Sequence, residues 1–219
     1  EGDVFKIRVP LLFPTDNQSE YNRHYADTNR STRPIVTMDE IIMKIMNAHA
    51  NGIHFVEWNA GQQIDSVMKE EGFHIDIITD WNNGFILGGN SSNCGTWMDK
   101  MGSSVTASNC GIPATPRDGA DIEIIGLLES TLRWLNDCNK HGTFKHKGVT
   151  IKKKVNGRSK DELITWKEWS NLLCASFESW FYIPTKKEND HKFFIEEKHV
   201  GARGIYKDTV GSNQEFADY

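Results

Sequence analysis

Ile122-Glu123-Ile124-Ile125-Gly126-Leu127-Leu128-Glu129-Ser130-Thr131-Leu132-Arg133-Trp134-Leu135 is the stretch on which the fold class turns. Ile122, Ile125, Leu128, Leu132 and Leu135 recur at helical spacing and form one apolar stripe. Ile124, Leu127, Thr131 and Trp134 form a second. The pattern predicts a helix over 119–139. Asp118 is its expected cap, and Asp121 and Glu123 fall in the first turns, where the helix dipole favours acids. A helix apolar over so much of its circumference is expected to be buried on more than one side. Gly126 inside it costs about 1 kcal/mol relative to Ala, so a close packing partner is expected against it.

Working outward, two further helices carry capping boxes, in which each side chain can satisfy the other's backbone amide. Thr37 and Glu40 start one, with Gly52 as its stop; Thr165 and Glu168 start another, running to about Phe181. A shorter helix is expected over 62–71, with Ile64, Val67 and Met68 on one side. His74–Ile78 and Phe85–Leu87, separated by Asn82-Asn83-Gly84, predict a β-hairpin, and Asn156-Gly157 predicts a second within 148–164. Residues 1–35 are polar and irregular, with prolines at 10, 14 and 34, and read as an irregular leading segment or linker. Residues 88–119 are dense in Gly, Ser, Asn and Pro, the composition of a long functional loop. The fold class is therefore mainly α with β-hairpin insertions.

The composition excludes several functions. A net charge of −5 argues against general binding to a phosphate backbone, which needs a positive field. The basic cluster from Lys145 to Lys160 reads as a solvated hairpin face. No run of about 18 apolar residues is present to span a membrane. The four cysteines, at 94, 110, 138 and 174, lack the spacing of a zinc knuckle or a redox dithiol and read as free thiols of a reducing cytoplasm. Neither an initiator Met nor a secretory signal stands at the N-terminus, and the chain is expected to start within a longer polypeptide. No nucleophile elbow, phosphate loop or paired-histidine metal motif appears, and no metal or cofactor is expected.

Two places can carry chemistry. The first is Asn93-Cys94-Gly95-Thr96-Trp97-Met98-Asp99-Lys100, where an aspartate stands beside a tryptophan. An apolar wall disfavours the charged carboxylate and raises its pKa, and a protonated carboxylic acid is what a departing glycosidic oxygen needs. Alone, the pattern also fits an aspartate that merely caps a loop. The second is Gly111-Ile112-Pro113-Ala114-Thr115-Pro116-Arg117-Asp118-Gly119, running into Glu123. Carboxylates and guanidinium groups bind sugar hydroxyls in this way; equally, Asp118 could cap the helix with Arg117 paired to it and Glu123 complementing the dipole. Among the seven tryptophans, Trp134, Trp166, Trp169 and Trp180 fall at helical spacing and read as core, whereas Trp58, Trp81 and Trp97 lie at turns or loops and are candidate sugar platforms.

These motifs resemble the eukaryotic glycogen debranching enzymes. The resemblance runs through Trp58–Asp65, Met68–Phe73, Gly88–Asn90, Asn93–Gly102, Gly111–Gly119 and Arg203–Asp208, strongest over 54–135 and 203–219. It implies an (α/α)6-barrel α-1,6-glucosidase domain, of which 36–219 would be the N-terminal part, within a bifunctional parent that also carries a 4-α-glucanotransferase. It further implies Asp99 as general acid and Trp97, Arg117, Asp118, Glu123 and Asn93 as substrate-binding residues. Glycogen or limit dextrin and the rest of the parent polypeptide are the implied partners, and the cytoplasm the implied location. The family's general base lies in a Gln-Gly-Pro-Glu-Trp context that nothing in this chain matches. An inverting glycosidase needs two carboxyl groups roughly 6.5–9.5 Å apart, and a barrel of twelve helices cannot close with four or five, so the piece alone is expected to be inactive and, with apolar helix faces exposed, unstable. Ser91, Ser92 and Cys110 depart from the family pattern, which usually carries arginine and phenylalanine at the first two positions and arginine at the third. Alternatives are a non-catalytic glycan-binding homologue and another (α/α)-barrel glucosidase of trehalase type.

Overall fold

A computed structural model describes residues 3–10, 35–57, 61–93, 102–112, 117–155 and 158–212. Among them are three α-helices: α1 Met38–Asn51, α2 Ile122–Lys140 and α3 Trp166–Phe181. Between and around them run short antiparallel strands, so the architecture mixes α and β. β1 (Arg8–Pro10) pairs with β2 (Ile35–Thr37), and β3 (Ile53–Val56), β4 (His74–Asp80) and β5 (Phe85–Leu87) form a three-stranded sheet. β6 (Ala120–Asp121) pairs with the distant β11 (Thr209–Val210). β7 (Gly148–Val155) and β8 (Arg158–Thr165) make a long hairpin, and β9 (Tyr182–Ile183) pairs with β10 (Ile205–Tyr206).

Both capping boxes start helices where the sequence places them. The Thr165 amide donates to Glu168 Oε2 at 2.8 Å and the Glu168 amide to Thr165 Oγ1 at 3.2 Å; at α1 the Thr37 amide donates to Glu40 Oε2 at 2.7 Å. Gly52, at φ +96°, ends α1. Both hairpins form. In the second, Val155 pairs with Arg158 across the two-residue connection.

One core unites the helices with the hairpins. α2 contributes Ile125, Leu128, Leu132 and Leu135, α3 contributes Trp166, Trp169, Leu173 and Phe181, the strands contribute Phe85, Val149 and Ile151, and the connection between α2 and β7 contributes Phe144. Trp169 is fully buried, and its indole N–H donates to the Gly84 carbonyl at 2.8 Å, fastening α3 to the β4–β5 turn. A buried aromatic with its polar tip satisfied is among the largest contributors to such a core. Trp81 packs on Trp169 with ring centroids 4.9 Å apart and donates to the Ala50 carbonyl at 3.1 Å, so this turn tryptophan braces the core. Phe85 and Phe181 meet edge to face at 5.4 Å.

Four expectations are corrected. Residues 62–68 form turns and only Glu70–Phe73 closes a 3-10 turn; Ile64 is 70% exposed, so the apolar spacing there marks no buried face. Asp65 takes the Val67 amide on its own side chain, a local bond that competes with helix formation. The cap of α2 is Asp121 rather than Asp118, because 120–121 are drawn into the β6–β11 pair. The second stripe of α2 is not buried: Leu127 is 63% and Trp134 48% exposed, which also removes Trp134 from the interior. Gly126 lies on that face with no described residue within 4 Å of where a Cβ would stand, so no close partner among the described residues compensates it.

Candidate active site

The long loop between β5 and β6 is closed at its neck. Gly88 and Gly119 exchange both backbone hydrogen bonds, each 2.9 Å, in an isolated antiparallel bridge. The bridge thus marks where the chain enters and leaves the stretch 89–118, in which both chemically suggestive motifs lie in sequence.

The near side of this loop is an Asn-stapled turn. Asn90 Oδ1 accepts from the amides of Ser92 at 2.8 Å and Asn93 at 3.0 Å, while the Asn90 amide donates to Asn93 Oδ1 at 2.8 Å. Asn93 Nδ2 donates to the His74 carbonyl at 3.2 Å and the Gly72 carbonyl at 3.5 Å, and Asn90 Nδ2 to the Glu71 carbonyl at 2.8 Å. Asn93 thus spends its side chain anchoring the approach to residue 94 against the start of β4. Farther along, the Gly102 amide donates to Ile112 and the Gly111 amide to Gly102, both 3.0 Å, pinching the loop a second time. Gly111, at φ +70°, lies where an added Cβ would overlap the Val67 carbonyl. Trp97 and Asp99 lie outside the described residues, as do Trp58 and Cys94.

The far side of the neck holds a buried charge cluster. Arg117 is 3% exposed. Its two terminal nitrogens form a fork on Glu123: Nη1 donates to Oε1, and Nη2 to Oε2 at 2.5 Å. Nη2 also reaches Asp208 Oδ1 at 2.9 Å, and Nε lies 2.7 Å from Asp208 Oδ2. Asp121 Oδ1 stands 3.9 Å from Nε. The planar guanidinium is suited to such bidentate holding. Asp118 points elsewhere: Ser212 donates to its Oδ1 at 2.6 Å and Thr209 to its carbonyl at 3.1 Å. The structure therefore brings Arg117 and Glu123 together but leaves Asp118 securing the 209–212 strand.

The electrostatics follow from this geometry. The Arg117 fork holds the Glu123 carboxyl below its ordinary range, and Glu123 holds the guanidinium charge more firmly than usual. Burial pushes Asp121 up to about 7 against the pull of Arg117, with Glu123, Asp208 and Asp118 adding like charge nearby. Asp121 and Asp208 were not singled out from the sequence as site residues. Asp121 was read only as a first-turn acid, and Asp208 sits 91 residues from the arginine it grips, so no local pattern ties the two together.

Comparison with known proteins matches the chain to a family. Residues 15–219 match the family model described as amylo-alpha-1,6-glucosidase. The chain is 45% identical over 217 residues to the glycogen debranching enzyme of Saccharomyces cerevisiae, a match that covers 99% of the chain and 13% of that protein's length. With nearly the whole chain matched, the loop closed at Gly88–Gly119 and the Arg117 cluster are features of a member of the amylo-alpha-1,6-glucosidase family.

Proposed function

We propose that this chain supplies the acid-bearing part of a glucosidase site that removes, with inversion, the α-1,6-linked glucose stub at glycogen and limit-dextrin branch points. In this reading it is the first part of an (α/α)6-barrel domain, in a cytoplasmic parent that also carries 4-α-glucanotransferase activity. Asp99 protonates the departing glycosidic oxygen, and a carboxylate elsewhere in the parent activates water on the opposite face of the sugar. Trp97 gives the ring an apolar platform. Arg117 and Glu123 set the edge of the glucose pocket, and Asn93 and Asp118 hold the two ends of the loop in place.

The observation that carries the reading is the family match over residues 15–219. It is supported by the shared neck at Gly88–Gly119, from which both the Asp99 segment and the Arg117 cluster depart. The test is Asp99→Asn in the intact parent, assayed for glucose release from phosphorylase limit dextrin. Loss of a general acid lowers the rate about 10²–10⁴-fold. Release at the unsubstituted rate would remove Asp99 from this role. Dextrin binding without turnover by the unsubstituted parent would instead identify a glycan-binding homologue.

A further inference from the structure

We propose that Asp208 and Asp121 are positioning residues for the Arg117–Glu123 pair, Asp208 sharing the guanidinium with Glu123 and Asp121 setting, by its charge, how tightly Arg117 stays on those two partners. The proposal rests on the reading of Arg117 and Glu123 as the edge of the glucose pocket.

Asp208 occupies a junction. Its carbonyl accepts the amide of Ile122, the first residue of α2, at 3.0 Å, while its carboxylate takes two contacts from Arg117. The β6–β11 pairing fixes this placement by setting Thr209 opposite Asp121 and Val210 opposite Ala120. One residue thus ties the start of the helix that carries Glu123 to the arginine that Glu123 holds. Asp208 keeps 57% of its side chain exposed and Glu123 26%, so the cluster opens to solvent on its carboxylate side while Arg117 is closed off.

Asp121 is the third carboxyl at this arginine. It is 3% exposed, and its buried Oδ1 accepts no hydrogen bond among the described residues. Arg117 already faces two carboxylates, Glu123 and Asp208. A third negative charge 3.9 Å from Nε competes directly with Asp208 for that nitrogen. The other charged groups acting on Asp121 are the carboxylates of Glu123, Asp208 and Asp118, the last engaged with Ser212. None relieves the crowding. With Asp121 protonated, Arg117 stays on Glu123 and Asp208. With Asp121 ionised, the pull on Nε rises and the grip of Asp208 weakens. Burial places that proton near neutrality.

The experiment uses the intact parent, with Asp121→Asn and Asp208→Asn, and two readouts. The first is kcat and KM for glucose release from limit dextrin between pH 5.5 and 9. The second is hydrogen exchange of the 117–123 segment at pH 6 and 8.5, corrected for intrinsic rates. In the unsubstituted protein KM rises and protection falls as pH passes through about 7, with kcat changing less; in Asp121→Asn both responses flatten. Retention of the original pH response in Asp121→Asn overturns the proposal, whereas a purely structural role would shift stability without moving the pH dependence. Should Asp121→Asn fail to fold, the more exposed Asp208→Asn decides. It raises KM about tenfold at pH 6.5, the scale of one hydrogen bond to a charged group, and lowers protection at 117–123; unsubstituted values in both overturn the proposal. If the unsubstituted parent releases no glucose, the glucosidase reading fails by itself and the exchange measurement still decides this one.

Discussion

Gly119→Ala isolates what the neck of the site loop contributes. Gly119 has φ +94°, a conformation that side chains rarely adopt. A Cβ added there would overlap the Val210 carbonyl oxygen and stand 2.9 Å from the Ser212 amide nitrogen. Both obstacles are backbone of the β11 segment, so neither can rotate away. The strain of the left-handed region costs about 1–2 kcal/mol. Moving the 210–212 segment aside also weakens the Gly88–Gly119 bridge, whose two bonds contribute about 1 kcal/mol each. The expected loss is therefore about 3–4 kcal/mol, a large share of the roughly 5–15 kcal/mol typical of a folded domain. Gly142→Ala is the control. That glycine has φ +71° and no described residue within 4 Å of its Cβ position, so it is expected to carry only the backbone strain, about 1 kcal/mol. Equilibrium urea unfolding followed by tryptophan fluorescence reads both. If the two variants lose equal stability, the neck is not the tight closure described, and the argument that it organises the site falls with it.

Two further outcomes follow from the core and the ion pairs. Trp169→Ala is expected to lose about 3–5 kcal/mol, from the cavity and the abandoned Gly84 carbonyl, whereas Trp134→Ala, half exposed and packed on Phe5 with ring centroids 5.5 Å apart, should lose less, about 1–2 kcal/mol; thermal or urea unfolding compares them. Asp39, bonded to Lys145 at 2.8 Å and to Thr37, has its carboxyl held down to about 2, from the ordinary 3.8. A depressed carboxylate stabilises the fold above its unfolded pKa, and that contribution is lost as pH falls from about 4 to about 2. Asp39→Asn should therefore lower stability by about 1–2 kcal/mol at pH 7 and converge with the original protein near pH 2. A constant difference across that range would refute the assignment.

The parts of this fold that were legible in the sequence are those decided locally. Thr37 with Glu40 and Thr165 with Glu168 announce helix starts because cap and partner lie three residues apart, and Asn82-Asn83-Gly84 announces its turn for the same reason. Where the decision came from far away, local reading slipped. Asp118 looks like a cap until β11 claims residues 120 and 121 for pairing. Ile64, Val67 and Met68 look like a helix face, but Asp65 offers the chain a tighter local alternative and Ile64 stays 70% exposed. At the site, Arg117 and Glu123 could be placed together near a helix start from sequence because they are six residues apart, although the partner offered for Arg117 was Asp118 and the structure gives it Glu123 instead. Asp208 could not, since only tertiary structure brings it to the same guanidinium.

The β6–β11 clip has a consequence for how the molecule is made. Thr209 closes onto Asp118 at a sequence separation of 91. A nascent polypeptide that has already wound α2 still lacks the strand that seats Asp208 against Arg117. Until residue 210 leaves the ribosome, Arg117 has Glu123 but not Asp208, and two buried carboxyls wait for their surroundings. Closing so long a loop is entropically slow, though the penalty grows only with the logarithm of its length. The Arg117 cluster is therefore among the last parts of this chain to assemble, and a stalled or shortened translation product ending before Asp208 would present its helices without it.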